Sequence, residues 1–391
     1  MASGKIKPDV AFIKKALARG GGDLKKCYQC ATCSVVCQLS PDEKPFPRKE
    51  MIWAQWGLKD KLFSDPHVWL CHDCNDCSVH CPRGAKPSEV LSSLRNLAIE
   101  YYSKPRFLAT MVLRPAYLPL LVLIPVLFIG IAVWLSADMD AASHHVHYGA
   151  MFPHAVLNSS FTLLALLAFV GVMIGAVKFW KAMNGREGGA NPGRPVALSI
   201  SGIVTTIKEI IVHNRFRKCG EQKSRAISHI LAVAGFVGLL LTTVWAIVYL
   251  MFMPERYPLA LWDPAKILGN LSAALLFIGV TIMIIKRLFL NKKQIGRGKY
   301  FDWYFLVVLF AISVTGIACE ILRYTEIPSV AYPMYFVHLV LIFMLLIYAP
   351  YSKFAHVVYR AVAMLYTLCA ERAEVPETAP AQLAQKELKE A

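Results

Sequence analysis

The chain has no adjacent cysteine pair, no G-x-G-x-x-G turn and no P-loop. The first absence argues against a self-contained disulfide reductase, the second against a flavin or nicotinamide fold, and the third against nucleotide hydrolysis. Period-two apolar alternation is weak throughout, which excludes a sheet protein and predicts an all-α fold. Met1 to Gly22 carries lysines but no apolar core of about 7 to 15 residues, so no secretory signal is expected and the first hundred residues are expected to stay in the cytoplasm. Acidic residues are few, 26 against 42 lysines and arginines, leaving a formal charge of +16.

What the chain has in excess is apolar residues, 56% of its 391 positions. Windows of about 20 apolar residues mark a polytopic membrane protein. Six spans are expected near 115–136, 155–180, 227–252, 265–286, 302–323 and 333–352. Lysines and arginines number nine in the connection 181–226 and six in 286–299, whereas 137–154, 253–264 and 324–332 hold only Arg256. The positive-inside rule then places both termini in the cytoplasm and explains the basic surplus without nucleic acid.

Eight of the eleven cysteines form two clusters of identical spacing, C-x2-C-x2-C-x3-C: Cys27, Cys30, Cys33 and Cys37, then Cys71, Cys74, Cys77 and Cys81. Three cysteines at this interval wrap one cubane face, while the fourth turns away to the partner cluster, as in two-cluster ferredoxins. The reading is one 4Fe–4S cluster on Cys27, Cys30, Cys33 and Cys81 and a second on Cys71, Cys74, Cys77 and Cys37. Proline follows Cys81 as usual, but Gln38 follows Cys37. Zinc would favour two separated C-x2-C knuckles and makes the rival reading a structural membrane anchor. His72 and His80 read as hydrogen-bonding neighbours, and Cys219, Cys319 and Cys369 as small buried residues. Around the clusters, helices are expected over Asp9–Arg19, with Val10, Ile13 and Leu17 on one side, over Arg48–Trp56, and over Ser88–Tyr102. Ser88 would cap the last of these, which turns Val90, Leu91, Leu94 and Leu97 inward.

The stretch Tyr332 to Tyr359 carries His338 and His356, 18 residues apart. Eighteen residues are about five helical turns and roughly 27 Å, so one helix would present an imidazole near each leaflet. A histidine in a span is costly unless paired or liganded. His229, at the start of the third span, would join His356 on one haem iron at the inner side, and His154 would join His338 on a second at the outer side. His144, His145 and His147 read as a solvated polar loop, and His213 as part of an interfacial helix with quinone contact as a lesser role. Glu320 and Arg323, near the outer end of the fifth span, are candidates for a quinone site or an interfacial ion pair.

These motifs carry a resemblance. The double cysteine pattern in a helical setting resembles the iron–sulfur C subunit of heterodisulfide reductase, and the membrane part resembles the cytochrome b of the same reductase, its E subunit. The run from His338 through Ala349-Pro-Tyr-Ser-Lys-Phe-Ala-His356 is similar to the last helix of the nitrate reductase gamma subunit. Fusion of both halves resembles the C-subunit family of quinone-interacting membrane-bound oxidoreductase complexes. This resemblance implies a diheme b-type cytochrome exchanging electrons with menaquinone. It also implies partner subunits A and B, which carry flavin and iron–sulfur groups, and through them adenylylsulfate reductase in sulfate respiration. A heterodisulfide-reductase-type or sulfite-pathway protein is the alternative. Leu239 stands where the gamma-subunit pattern has a second histidine, so His154 rests on its position in the chain and not on the resemblance.

The expected organisation is a cytoplasmic two-cluster ferredoxin-like domain over 1–104, a six-helix transmembrane cytochrome b bundle over 105–370, and a disordered tail over 371–391. Membrane lipid is an expected partner, and two haem b, two 4Fe–4S clusters and menaquinone are the expected cofactors. The chain is expected to be the quinone-reactive subunit of a larger oxidoreductase.

Overall fold

The computed structural model describes residues 7–41, 44–138, 145–185, 196–212, 223–257, 259–289 and 299–374. His144, His213, Cys219, much of the basic connections, and tail residues 375–391 lie outside the described residues. Among those described there is no strand, as the missing alternation requires. The chain forms two compact units: Met1–Ala98 with Gly175–Lys218 and His356–Ala391, and Ile99–Ile174 with Cys219–Ala355.

Among the described residues the first seven α-helices are α1 (Val10–Ala16), α2 (Thr32–Val35), α3 (Arg48–Gln55), α4 (Lys59–Phe63), α5 (His67–Leu70), α6 (Asp76–Val79) and α7 (Pro87–Tyr102). The Asp9 carboxylate starts α1 by accepting the Phe12 N–H at 2.8 Å. Its buried face differs from the expected one: Phe12 and Ala16 are inside while Val10 is 58% exposed. Phe12 meets Phe63 edge-on at 5.5 Å, and the Ala16 carbonyl accepts from Ser93 Oγ, so these contacts set the rotation of the helix. In α7, Val90, Leu91, Leu94 and Leu97 are buried as their spacing demands. Ser88 does not cap α7. It lies inside the first turn, and its hydroxyl donates to Asn75 Oδ1 at 2.6 Å, which ties the helix to the second cysteine loop.

The remaining helices are α8 (Arg106–Val112), α9 (Leu118–Ser136), α10 (Tyr148–Met151), α11 (His154–Met183), α12 (Ile200–Val212), α13 (Lys223–Phe252), α14 (Pro264–Phe289), α15 (Tyr300–Thr325), α16 (Pro328–Tyr348) and α17 (Ala355–Glu374). Among the described residues six segments are long and apolar enough to cross a membrane: Pro115–Ser136, His154–Met183, Ala226–Phe252, Pro264–Phe289, Tyr300–Thr325 and Pro328–Glu371. Each leaves apolar side chains outward, such as Leu135, Phe169, Leu240 and Leu271, a surface suited to lipid and not to water.

The α13–α14 pair packs backbone against backbone. A Cβ at Gly235 would lie 2.4 Å from the Leu276 nitrogen, and one at Gly279 would lie 2.6 Å from the Ala232 nitrogen. Small residues at such a crossing let two membrane helices gain dispersion contacts that lipid cannot supply.

The sixth span is not one continuous helix. α16 ends at Tyr348, Ala349–Tyr351 makes a single 3-10 turn, and Ser352 is extended at φ −100°, ψ −177° before α17 begins. Pro350 has no N–H to continue the helical ladder, and its carbonyl accepts from Ser103 Oγ at 2.9 Å. Tyr351 donates to the Lys104 carbonyl at 2.7 Å, and Lys353 pairs with Asp302. His338 and His356 therefore stand on separate helices, so the shared-face argument does not hold. Because α16 starts at Pro328, His338 lies at mid-helix.

Gly235→Val should collapse the α13–α14 contact and lower stability by about 1–3 kcal/mol or more. Gly130→Ala, where a Cβ meets nothing within 4 Å, should leave it unchanged. Thermal unfolding midpoints in detergent distinguish the two.

Candidate functional site

The two cysteine motifs share one backbone path. Gln29 and Ala31 have φ of 61° and 69°, and their counterparts Asp73 and Asn75 have 56° and 72°. Left-handed residues at these two places curl each loop, and the helices α2 and α6 then carry Cys33 and Cys77 into the interior while Cys30 stays exposed. α2 packs against α6. Burial, followed by the neighbouring Cys27, Cys30 and Cys81 thiols, pushes the Cys33 thiol up to about 11. Burial, then Cys71, Cys37 and Cys33, raises Cys77 well above the usual thiol range. Cys81 is thus among the neighbours of the first motif and Cys37 among those of the second. None of the eight is in a disulfide.

This donor set fits iron–sulfur clusters. Thiols crowded in low dielectric are costly to ionise singly and are stabilised by binding iron as thiolates. Backbone N–H groups already point at two sulfurs, from Asp73 to Cys71 Sγ at 3.4 Å and from Ala85 to Cys81 Sγ at 3.3 Å. His80 is engaged locally, with Nδ1 2.9 Å from the Asp76 carbonyl.

Within the same unit, α17 meets the second motif. His356 lies 5.6 Å, centroid to centroid, from the Trp69 ring, and Tyr359 stacks on that ring at 4.9 Å. Arg360 Nη1 donates to the carbonyls of Trp69 and Cys71, and its Nη2 lies 3.2 and 3.3 Å from the His72 ring nitrogens. Arg95 Nη1 reaches the same Cys71 carbonyl at 3.1 Å. Sequence reading passed over Trp69, Arg95 and Arg360. The signal available was an arginine four residues after His356, one turn on, in an otherwise apolar run.

In the other unit, His338 Nδ1 lies 2.8 Å from Thr315 Oγ1, whose proton goes to the Ala311 carbonyl at 2.7 Å. Thr315 must then accept from Nδ1–H, which leaves the Nε2 lone pair of a neutral imidazole for a metal. Gly316 lies against this ring, where a Cβ would come within 3.0 Å of Cε1. His338 would therefore suit a haem iron as a neutral nitrogen donor. His154, the first residue of α11, is exposed beside His147 and lies 6.0 Å from the Tyr257 ring. His229 occupies the second turn of α13. Cys319 and Cys369 are buried, as their type predicts.

Glu320 pairs with Lys266 at 2.5 Å, and this contact, not one to Arg323, is its ion pair. Neither Glu320 nor Arg323 lines the apolar cavity of about 510 Å³ between α9, α15 and α16. That cavity is walled by Val122, Trp303, Tyr304, Val340 and Met344, and Tyr300 also lines it, with a buried hydroxyl that has no hydrogen-bond partner.

A third cluster is electrostatic. Glu50, Asp65 and His67 bring ligand atoms within 4.8 Å of one another. Lys49 is already their cation, with Nζ 2.7 Å from Asp65 and 3.3 Å from Glu50, so the group is a buried ion network. Burial, reinforced by Asp65, raises the Glu50 carboxyl well above the usual range. For Asp65, burial works upward but is outweighed by the His67 hydrogen bond and the Lys49 charge, which hold it well below the usual range.

Comparison with known proteins separates two parts. Residues 105–377 match the family described as Citrate utilization protein B, and residues 23–85 match the 4Fe-4S dicluster domain. The chain is 40% identical over 91 residues to the C subunit of the H(2):CoB-CoM heterodisulfide,ferredoxin reductase of Methanothermobacter thermautotrophicus, covering 23% of this chain and 49% of that protein. It is 37% identical over 100 residues to a protein of Archaeoglobus profundus described as like the C subunit of heterodisulfide reductase, covering 25% and 52%. Citrate utilization protein B of Escherichia coli is 25% identical over 315 residues, covering 76% of this chain and 80% of that protein. The chain thus spans about half the length of the reductase subunits it matches. No solved structure matches. The N-terminal part is an iron–sulfur domain similar to the C subunit of heterodisulfide reductase, as its cysteines led one to expect.

The buried carboxyls predict a pH signature. A raised Glu50 contributes stability that is complete below about pH 4.3 and declines as pH rises towards its folded value. Asp65 acts oppositely: its contribution is complete above about pH 3.9 and is lost as pH falls through its depressed folded value. Glu50→Gln should therefore raise the unfolding midpoint at neutral pH and not at acid pH. Lys49→Met, which leaves Asp65 buried without its cation, should cost about 3–5 kcal/mol.

Proposed function

Since the chain belongs to the Citrate utilization protein B family, with a 4Fe-4S dicluster domain ahead of the family's segment, we propose that it is the membrane electron-transfer subunit of a quinone-linked oxidoreductase. It exchanges electrons between a lipophilic quinone, menaquinone in the first instance, and a cytoplasmic flavin or iron–sulfur partner. When bound, two 4Fe–4S clusters and two b haems supply one-electron storage and transfer. Cys27, Cys30, Cys33 and Cys81 hold one cluster, and Cys71, Cys74, Cys77 and Cys37 the other. The haem ligands are drawn from His154, His229, His338 and His356. Both termini are cytoplasmic, on the side where the basic connections collect.

The observation that carries this reading is the contact of α17 with the second cysteine loop. One helix carries His356 and, within a turn, the side chains that touch Trp69, Cys71 and His72. A membrane anchor holding zinc gives no reason for an aromatic bridge between a candidate haem ligand and a cysteine loop.

The quinone ring is assigned to the apolar cavity, with the Tyr300 hydroxyl as its polar contact. An apolar slot walled in part by tyrosine rings fits an isoprenoid quinone, whose ring oxygens accept and whose tail needs lipid-like walls. The partner is read as subunits A and B of a quinone-interacting complex, coupled to adenylylsulfate reductase. The family match over residues 105–377 favours a second reading, a part in the utilization of citrate.

The purified chain should show dithionite-reducible b-haem bands, broad iron–sulfur absorbance, and about eight irons per chain besides haem. Bound zinc without haem or sulfide would end the proposal. His338→Ala should remove one haem and leave the clusters, and retention of both haems would refute the assignment. Tyr300→Phe should lower quinol-dependent haem reduction at least tenfold with haem content unchanged.

A further inference from the structure

The two cysteine loops, alike in backbone, differ in what grips their first carbonyl. At the first motif the Cys27 carbonyl accepts from Gln55 Nε2 at 3.0 Å, and the same amide also reaches the Leu24 carbonyl. At the second motif the Cys71 carbonyl accepts from two guanidinium groups, Arg95 at 3.1 Å and Arg360 at 3.0 Å, and Arg360 also reaches the Trp69 carbonyl. At that carbonyl a neutral amide stands in one loop and two cations in the other; the cations near the first loop, Arg48 by Cys30 and Arg83 over the Tyr28 ring, are exposed and screened by solvent. Arg95 is 5% exposed, so its charge is poorly screened by solvent, and its Nη2 lies 3.5 Å from Asp73 on the loop itself.

Each electron taken up makes a cluster more negative, and a cation within a few ångströms in low dielectric stabilises that state. Resting on the iron–sulfur reading above, we propose that Arg95 and Arg360 are positioning residues that split the two clusters in potential, holding the one bound at Cys71 above the one bound at Cys27. Asp73, on the other side of Arg95, offsets part of the effect. The more readily reduced cluster is thereby the one whose loop touches Trp69 and, through it, His356. An electron shared between two such clusters would reside mostly on the one held at Cys71.

The test is a potentiometric titration of the full-length chain followed by electron paramagnetic resonance, which reads each cluster separately. Arg360→Gln should lower one of the two midpoints by the equivalent of about a tenfold change in electron sharing, ~59 mV for one electron, and leave the other in place. Arg360→Lys, which keeps the charge, should restore most of that shift. Asp73→Asn should move the same midpoint upward. Asp73 is 40% exposed and its φ of 56° suits asparagine, so this variant decides the matter even if Arg360→Gln does not assemble its cluster. Cluster signals with midpoints unmoved by Asp73→Asn, or moved equally at both clusters, would overturn the inference alone. Absence of any iron–sulfur signal from the unaltered chain would overturn the electron-transfer reading and this inference with it.

Discussion

Arg360 joins two pieces of chain that the sequence sets nearly 290 positions apart: the helix bearing His356 and the loop bearing Cys71. The guanidinium spends its donors on the carbonyls of Trp69 and Cys71 and on the His72 ring, a planar fork that lysine does not reproduce. The Trp69 ring, packed by Tyr359 and Phe179, then sits beside His356.

The membrane unit is organised by a different force. Its helices gain nothing from hiding apolar surface, since lipid is equally apolar, and it relies instead on close approach and on a few internal polar bonds. Glycines at the α13–α14 crossing give the first, and the Thr315–His338 and Lys266–Glu320 pairs give the second. A polar pair in a span is stabilising only when each group is satisfied, and His338 has a defined tautomer because Thr315 is itself committed to the Ala311 carbonyl.

Much of this was legible in the sequence because it is local or periodic. The six spans follow from runs of apolar residues long enough to cross a bilayer, and the inward face of α7 follows from the spacing of Val90, Leu91, Leu94 and Leu97. The cysteine spacing carries the iron–sulfur domain, because three ligands at fixed intervals leave few other metals. What the sequence did not yield depends on contacts between distant segments. Val10 reads as apolar and inward, yet Phe12 has the better partner in Phe63. Ser88 reads as a cap, yet a nearby asparagine competes for its hydroxyl. The single helix through His338 and His356 was read from periodicity alone, which does not register that Pro350 and an extended Ser352 end one helix and begin another. Arg95 and Arg360 are two of 42 basic residues, and only the fold singles them out.

The central claim is that electrons pass between a membrane-dissolved quinone and the cysteine-bound clusters by way of histidines in the spans. Anaerobic rapid mixing of the full-length chain with a menaquinol analogue, recording haem and iron–sulfur absorbance together, tests it most directly. The account predicts that the haem bands reduce first, followed by bleaching of the iron–sulfur absorbance. Haem bands that stay oxidised, or clusters that reduce at full rate when His338 is replaced and its haem is lost, would contradict it.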